Sequence, residues 1–207
     1  MKRLLEGIAH FRLNDFEAHR ELFTGLKSKQ KPHTLFISCS DSRVDPNLIT
    51  GTLPGELFII RNIANIVPPH HYTSEHLATT SAIEYAVLAL DVQNIIICGH
   101  SNCGGCAACL APPPTDKLPH TLKWLELAVP ARERVFEEAL GDDPEAREWM
   151  MEQYNVVEQL KHLMTYPYIY QKALAGQIEI SGWHYIIETG EVFIYDKDSK
   201  QFLLGNG

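Results

Sequence analysis

Three short apolar runs rich in β-branched residues stand at 34–38 (TLFIS), 56–60 (ELFII) and 94–98 (NIIIC), with helical spacing around and between them. Strands that read as continuous apolar runs and alternate with helices belong to a parallel sheet covered on both faces. Pro54-Gly55 announces the second run, and the proline-bearing stretch NIVPPHHYTS separates it from a helix expected at about 75–90. The third run leads directly into GHSNCGGC and a short helix.

Before the first strand, Leu4, Leu5, Ile8, Phe11, Leu13, Phe16, Leu22 and Phe23 predict one or two amphipathic helices ending near Gly25. After the loop at Pro112, Pro113 and Pro114, a helical stripe runs through Leu118, Leu122, Leu125 and Val129. Asp143-Pro144 then caps and starts a helix whose apolar face reads Met150, Tyr154, Val157, Leu160 and Met164. Tyr166-Pro167 ends it, and Gly176 closes one further short helix. QIEISGWHYIIETGEVFIYD predicts a strand and then a hairpin turning at Thr189-Gly190. The fold class expected is α/β: a mostly parallel central β-sheet flanked by helices, with a C-terminal antiparallel hairpin and an N-terminal helical arm. At 207 residues with no internal repeat or long linker, the chain reads as a single domain, 1–30 being the arm and 31–207 the α/β core.

Hydrophobic residues make up 45% of the chain, enough for a core that needs no metal to hold it together. A formal charge of -8 without a basic cluster argues against a nucleic-acid partner. No segment has the length and continuity of a signal peptide or membrane span, so the expected location is the cytoplasm, with no membrane partner. Five cysteines, an odd number, fit a reducing compartment.

Two segments carry chemistry: Cys39-Ser-Asp41-Ser-Arg43 after the first strand and His100-Ser-Asn-Cys103 after the third. Open α/β sheets bind ligands at the C-terminal ends of their strands, so the segments can converge there. Cys39, His100 and Cys103 supply two thiolates and an imidazole, the three-ligand count of a catalytic zinc site with an open fourth position. Such a metal lowers the pKa of water from about 15.7 towards about 7. Asp41 can accept a hydrogen bond from the resulting hydroxide, and Arg43 can keep Asp41 ionised through a bidentate pair. A lone strand-end cysteine is usually packing and a lone Asp-x-Arg a surface ion pair. Their conjunction at matching strand ends is what carries weight.

CSDSRVDP, PGELFIIRNIANIVPP and IIICGHSNCGG together resemble the β-class carbonic anhydrases, from about residue 30 to the end of SGWHYIIETGEV. The resemblance implies reversible hydration of carbon dioxide to bicarbonate and a proton by a zinc-bound hydroxide, with one Zn²⁺ per subunit. Cys39, His100 and Cys103 match the zinc ligands, and Asp41 with Arg43 the catalytic dyad. Gln30 matches a substrate-binding glutamine that reaches the site from the neighbouring subunit, which implies a homodimer or larger homo-oligomer. Phe58, Ile63 and Tyr85 match pocket-lining positions, although apolar residues there are also ordinary core. Gly104 matches a backbone N–H near the substrate. A switchable subset of the family carries Trp three residues before the first zinc cysteine. Phe36 stands there in this chain, so the open arrangement is expected, with Asp41 paired to Arg43.

Other readings stay open on the residues alone. The same scaffold can hydrolyse carbonyl sulfide or carbon disulfide, which are isosteric with carbon dioxide. A non-catalytic zinc or redox-sensing module would instead show a fourth ligand or a Cys103–Cys106 disulfide. An iron–sulfur site generally needs four thiolates, and His100 holds the first slot here. Cys106 and Cys109 read as small residues on a packed helix and Cys98 as strand core. His70 and His71 read as solvated loop residues. His10, His19, His33, His76, His120, His162 and His184 show no ligand spacing and read as structural or exposed.

Overall fold

The computed structural model of the chain describes residues 1–72 and 75–205. Thr73 and Ser74, at the end of the expected NIVPPHHYTS loop, lie outside them. Among the described residues six strands form one sheet: β1 Thr34–Cys39, β2 Leu57–Asn62, β3 Asn94–His100, β4 Glu179–Tyr185, β5 Val192–Asp196 and β6 Gln201–Leu204. Their order is β2-β1-β3-β4-β5-β6. The first four run parallel and the last two pair antiparallel, so the expected α/β architecture with its C-terminal hairpin is present. Every residue of β1 is buried, as its interior place between β2 and β3 requires. β6 is an addition that the short, half-exposed QFLL segment does not announce.

The helices are α1 Lys2–His10, α2 Phe16–Ala18, α3 Arg20–Leu26, α4 Pro46–Thr50, α5 Leu77–Glu84, α6 Gly104–Leu110, α7 Pro119–Leu125, α8 Val129–Glu138, α9 Pro144–Met164 and α10 Pro167–Leu174. The N-terminal arm is helical as expected, though broken into three α segments. A π-helical stretch at Phe11–Asp15 and a non-helical His19 (φ -116°) interrupt it. Its Phe11, Phe16 and Phe23 rings pack on one another, and α1 buries nothing in this chain. The helix expected at 75–90 is α5 followed by a π-helical turn, Tyr85–Ala89. α4 was not anticipated, although Asp45-Pro46 is the same start signal as Asp143-Pro144. Asp45 caps it through Leu48 N–H, and Gly51 at φ 64° ends it in the left-handed region.

α9 starts where expected, with the Asp143 carboxylate accepting from Glu145 and Ala146 N–H. Its buried face differs from the apolar stripe in the sequence. Met151, Glu152, Asn155, Val156, Gln159, Leu160, His162 and Leu163 are buried, whereas Met164 is exposed. Polar side chains occupy this face because the backbone opposite offers partners. Asn155 donates to Ala64 O at 2.8 Å, Gln159 accepts from Val67 N–H at 2.9 Å, and His162 Nδ1 lies 2.7 Å from Val67 O. Tyr166, just beyond α9, donates to Pro68 O at 2.7 Å.

Two glycines let α9 approach the sheet. A Cβ on Gly99 of β3 would lie 2.7 Å from Val156 Cγ2, and one on Gly182 of β4 would lie 2.8 Å from Val156 Cγ1 and 2.9 Å from Leu160 Cδ1. Gly182→Ala is therefore expected to destabilise the fold by about 1–3 kcal/mol through overpacking. Denaturant unfolding checks this, and unchanged stability would refute the close-packing argument.

Candidate metal centre

β1 sits between β2 and β3, so the chain leaves β1 to one side and returns on the other. That is a topological switch point, where strand ends open a crevice. The parallel register aligns Ser38 with Cys98, so Cys39 and His100 terminate adjacent strands at the same end of the sheet. Three residues later Cys103 stands at the cap of α6, after a turn that places Asn102 at φ 55°. The turn is tied to β4 and beyond: Ser101 N–H donates to Tyr185 O, and Ser101 Oγ accepts from Ile187 N–H.

The result is a set of three ligand atoms, from Cys39, His100 and Cys103, all within 4.8 Å of one another and all from buried residues. His100 Nδ1 lies 2.9 Å from Ser101 O, an acceptor, so the proton belongs on Nδ1 and the Nε2 lone pair is free. Nε2 is buried with no hydrogen-bond partner among the described residues. The contact with the Cys103 sulfur, and then burial, push the Cys39 thiol up to about 12. Cys103 is pushed up as well, first by Cys106 and then by burial, against a lowering contact from Cys39. Two buried thiols that resist ionisation, beside an orphaned imidazole nitrogen, fit a divalent cation that would neutralise both thiolates and use the lone pair.

Asp41 and Arg43 form a bidentate pair, Arg43 Nε donating to Oδ1 at 2.9 Å and Nη2 to Oδ2 at 2.8 Å, with Arg43 N–H adding a bond of 3.0 Å to Oδ1. The guanidinium holds the Asp41 carboxyl well below the usual carboxylate range, against the opposing effect of burial. This is the pairing expected from Phe36. Oδ2 lies 4.0 Å from His100 Nε2, so the carboxylate borders the three ligand atoms. Arg43 Nη2 also donates to Asn102 O at 3.0 Å, linking the two segments. Arg61 was missed in the sequence. From β2 it donates to Cys39 O at 3.0 Å and Asp41 O at 2.6 Å, fixing the backbone of the first segment. The available signal was a charge at the end of an apolar run, in register with Ser38 beside Cys39.

The remaining candidates divide into two groups. Ile63 opens a loop in which Ala64 (φ 59°) and Asn65 (φ 47°) adopt left-handed backbone, a strain of about 1–3 kcal/mol each. Asn155 on Ala64 O and Trp124 Nε1 on Ile63 O at 2.9 Å hold it. Gly105, a second omission, lets it come close: a Cβ there would lie 2.9 Å from Ala64 Cβ and 3.1 Å from Ile63 Cγ2. Gly104, next to Cys103, has open space around it. The second group is separate within one chain. Gln30 and Tyr85 line an open cleft of about 540 Å³ with Leu26 and Leu90, and its lining includes none of Cys39, Asp41, His100 or Cys103. Phe58 packs on Tyr85 with ring centroids 6.0 Å apart. His162 and His184 are buried, and so are Cys98, Cys106 and Cys109, as expected. No described helix is long and apolar enough to cross a membrane.

The family model for carbonic anhydrase matches residues 34–192, the stretch holding all three ligand atoms. A carbonic anhydrase of Helicobacter pylori is 45% identical over 206 residues, covering 98% of this chain and 93% of its own. The solved β-carbonic anhydrase CcaA matches with a TM-score of 0.93 at 41% identity over 99% of both chains. A structure from a study of two tetrameric β-carbonic anhydrases of the ascomycete Sordaria macrospora matches with a TM-score of 0.82 at 33% identity, covering 93% of this chain and 95% of that one. With a mostly parallel sheet of the same architecture and a buried Cys-His-Cys set at its switch point, the chain belongs to the β-carbonic anhydrase family, enzymes whose general activity is the hydration of carbon dioxide.

Proposed function

We propose that this chain is a zinc enzyme converting carbon dioxide and water reversibly to bicarbonate and a proton, with Cys39, His100 and Cys103 holding one Zn²⁺ per subunit. The observation that carries the reading is the buried three-atom donor set with Asp41 at its edge. Zinc, when bound, supplies the Lewis acidity that makes water a nucleophile near neutral pH.

The chain's own residues do the rest. Asp41, kept ionised by Arg43, would accept a hydrogen bond from the O–H of the nucleophile and so aim its remaining lone pair at the substrate carbon. Arg43 keeps Asp41 from turning inward to the ligands, and its bond to Asn102 O keeps the two segments in step. Gln30 donates a hydrogen bond to the negative charge that develops on substrate oxygen. Phe58, Ile63 and Tyr85 supply apolar walls, which suit an uncharged substrate, and the Gly104 N–H adds a donor.

Gln30 reaches the donor set of a second copy, so the active form is a homodimer or a larger homo-oligomer. Supporting this, Gln30 and Tyr85 face an open cleft in the single chain, and Leu4, Leu5 and Ile8 of α1 are exposed. The tetrameric relatives from Sordaria macrospora point the same way. In this reading residues 1–30 are the arm of a single domain that continues through 31–207. Five free thiols fit a reducing compartment, the cytoplasm.

Stopped-flow measurement of carbon dioxide hydration near pH 8.5 on the zinc-loaded protein tests the reading. Rapid proton release is expected, and a zinc-loaded chain no faster than buffer would refute it.

A further inference from the structure

Against the backbone of Cys103 lies a buried carboxylate that the proposed chemistry does not use. Glu152 of α9 is 3% exposed. Its Oε1 accepts the Cys103 N–H at 3.0 Å, and its Oε2 lies 3.0 Å from His184 Nε2 on β4. His184 is fully buried, with Trp149 edge-on to its ring at 4.8 Å and Phe202 at 6.2 Å. Its other nitrogen, Nδ1, has no partner among the described residues, which places the proton on Nε2, facing Glu152. Glu152 therefore meets two donors, and a carboxylate accepts from both at once. Burying that charge costs several kcal/mol, so a position serving only to fill the core would favour an apolar residue.

We propose that Glu152 is a positioning residue for the metal centre, fixing the Cys103 peptide so that its sulfur points at the space shared with Cys39 and His100, and that His184 holds Glu152 in turn. The inference rests on the zinc reading given above. The turn from His100 to Cys103 contains a left-handed residue, Asn102, and Cys103 itself precedes the first turn of α6. Arg43 holds the Asn102 carbonyl from one side, and Glu152 holds the next N–H from the other. The anchor is rigid, since α9 is seated on β3 and β4 at Gly99 and Gly182. A zinc–sulfur bond tolerates errors of only about 0.2 Å, so a loosened Cys103 peptide weakens metal retention directly.

The test reads metal, not turnover: zinc release from the loaded protein into a chelator, with the charge-transfer absorption of the Co²⁺-substituted protein alongside. Glu152→Ala is expected to release zinc roughly 10- to 100-fold faster and to shift the Co²⁺–thiolate band. Glu152→Gln keeps an acceptor for the Cys103 N–H, and His184 can change tautomer to receive the amide. This variant is expected to stay within about threefold of the native release rate, with an unmoved band. Should Glu152→Ala not fold, Glu152→Asp carries the same test, because a side chain one methylene shorter cannot span both donors. Native release from Glu152→Ala or Glu152→Asp overturns the proposal. So does equal acceleration in Glu152→Gln, which would mark a role in core stability alone. A native chain that takes up no zinc overturns both this inference and the zinc reading. Zinc retention without carbon dioxide hydration overturns the activity and leaves the role of Glu152 standing.

Discussion

Stripped of zinc by a chelator, the protein is expected to lose carbon dioxide hydration by roughly a thousandfold or more and to recover it when zinc is restored. Cys103→Ala should reproduce the loss without recovery. The size of the effect follows from the donor set. Cys39 and Cys103 are buried and, without a cation, held as neutral thiols, so they offer no nucleophile or base of their own. Among the described residues His100 Nε2 has no hydrogen-bond partner. Stopped-flow hydration with parallel metal analysis checks both statements. Metal-free protein as active as the loaded form would sink the assignment of these three residues.

The second large effect is expected at Asp41. Asp41→Asn replaces one acceptor oxygen by an NH₂ group that faces the Arg43 guanidinium, donor against donor, and it removes the charged acceptor that orients the nucleophile. Hydration should fall by on the order of 10²- to 10⁴-fold while bound zinc stays near one per subunit. The pH dependence has a definite sign. The folded-state value of Asp41 is depressed below its ordinary 3.8, chiefly by Arg43. The stability this pair contributes is present in full above the unfolded value. It is lost as pH falls below that value towards the depressed one. Native and Asp41→Asn proteins should therefore differ most in unfolding free energy above about pH 5 and converge in strong acid. A constant difference across the whole range would mean the Arg43 pair is not its source.

Much of the sheet was readable because β1 and β3 are interior strands, buried on both faces and therefore apolar at successive positions. Cys39 and His100 stood out because each follows such a run, and parallel strands deliver their ends to one edge. The face of α9 was not readable. Glu152, Asn155, Gln159 and His162 look like the solvent side of an amphipathic helix until their partners are known. Those partners are backbone groups near Ala64, Val67 and Cys103, far off in sequence. Arg61 hid for a similar reason, since its acceptors are the carbonyls of Cys39 and Asp41 rather than an acidic side chain. Periodicity reports burial and says nothing of which backbone carbonyl is left wanting a donor. Gln30 was legible only through resemblance, because its proposed destination lies on another copy of the chain.

All three sulfur and nitrogen donors lie within the first 103 residues, whereas the carboxylate and strand that brace the Cys103 turn come from 152 and from 179–185. A chain emerging from the ribosome thus exposes its donors before the brace exists, Glu152 following Cys103 by 49 positions. During that interval the cysteines are free thiols on an unfinished sheet, open to any metal or oxidant they meet. On the role proposed for Glu152, choice of the ion by geometry begins once α9 has docked.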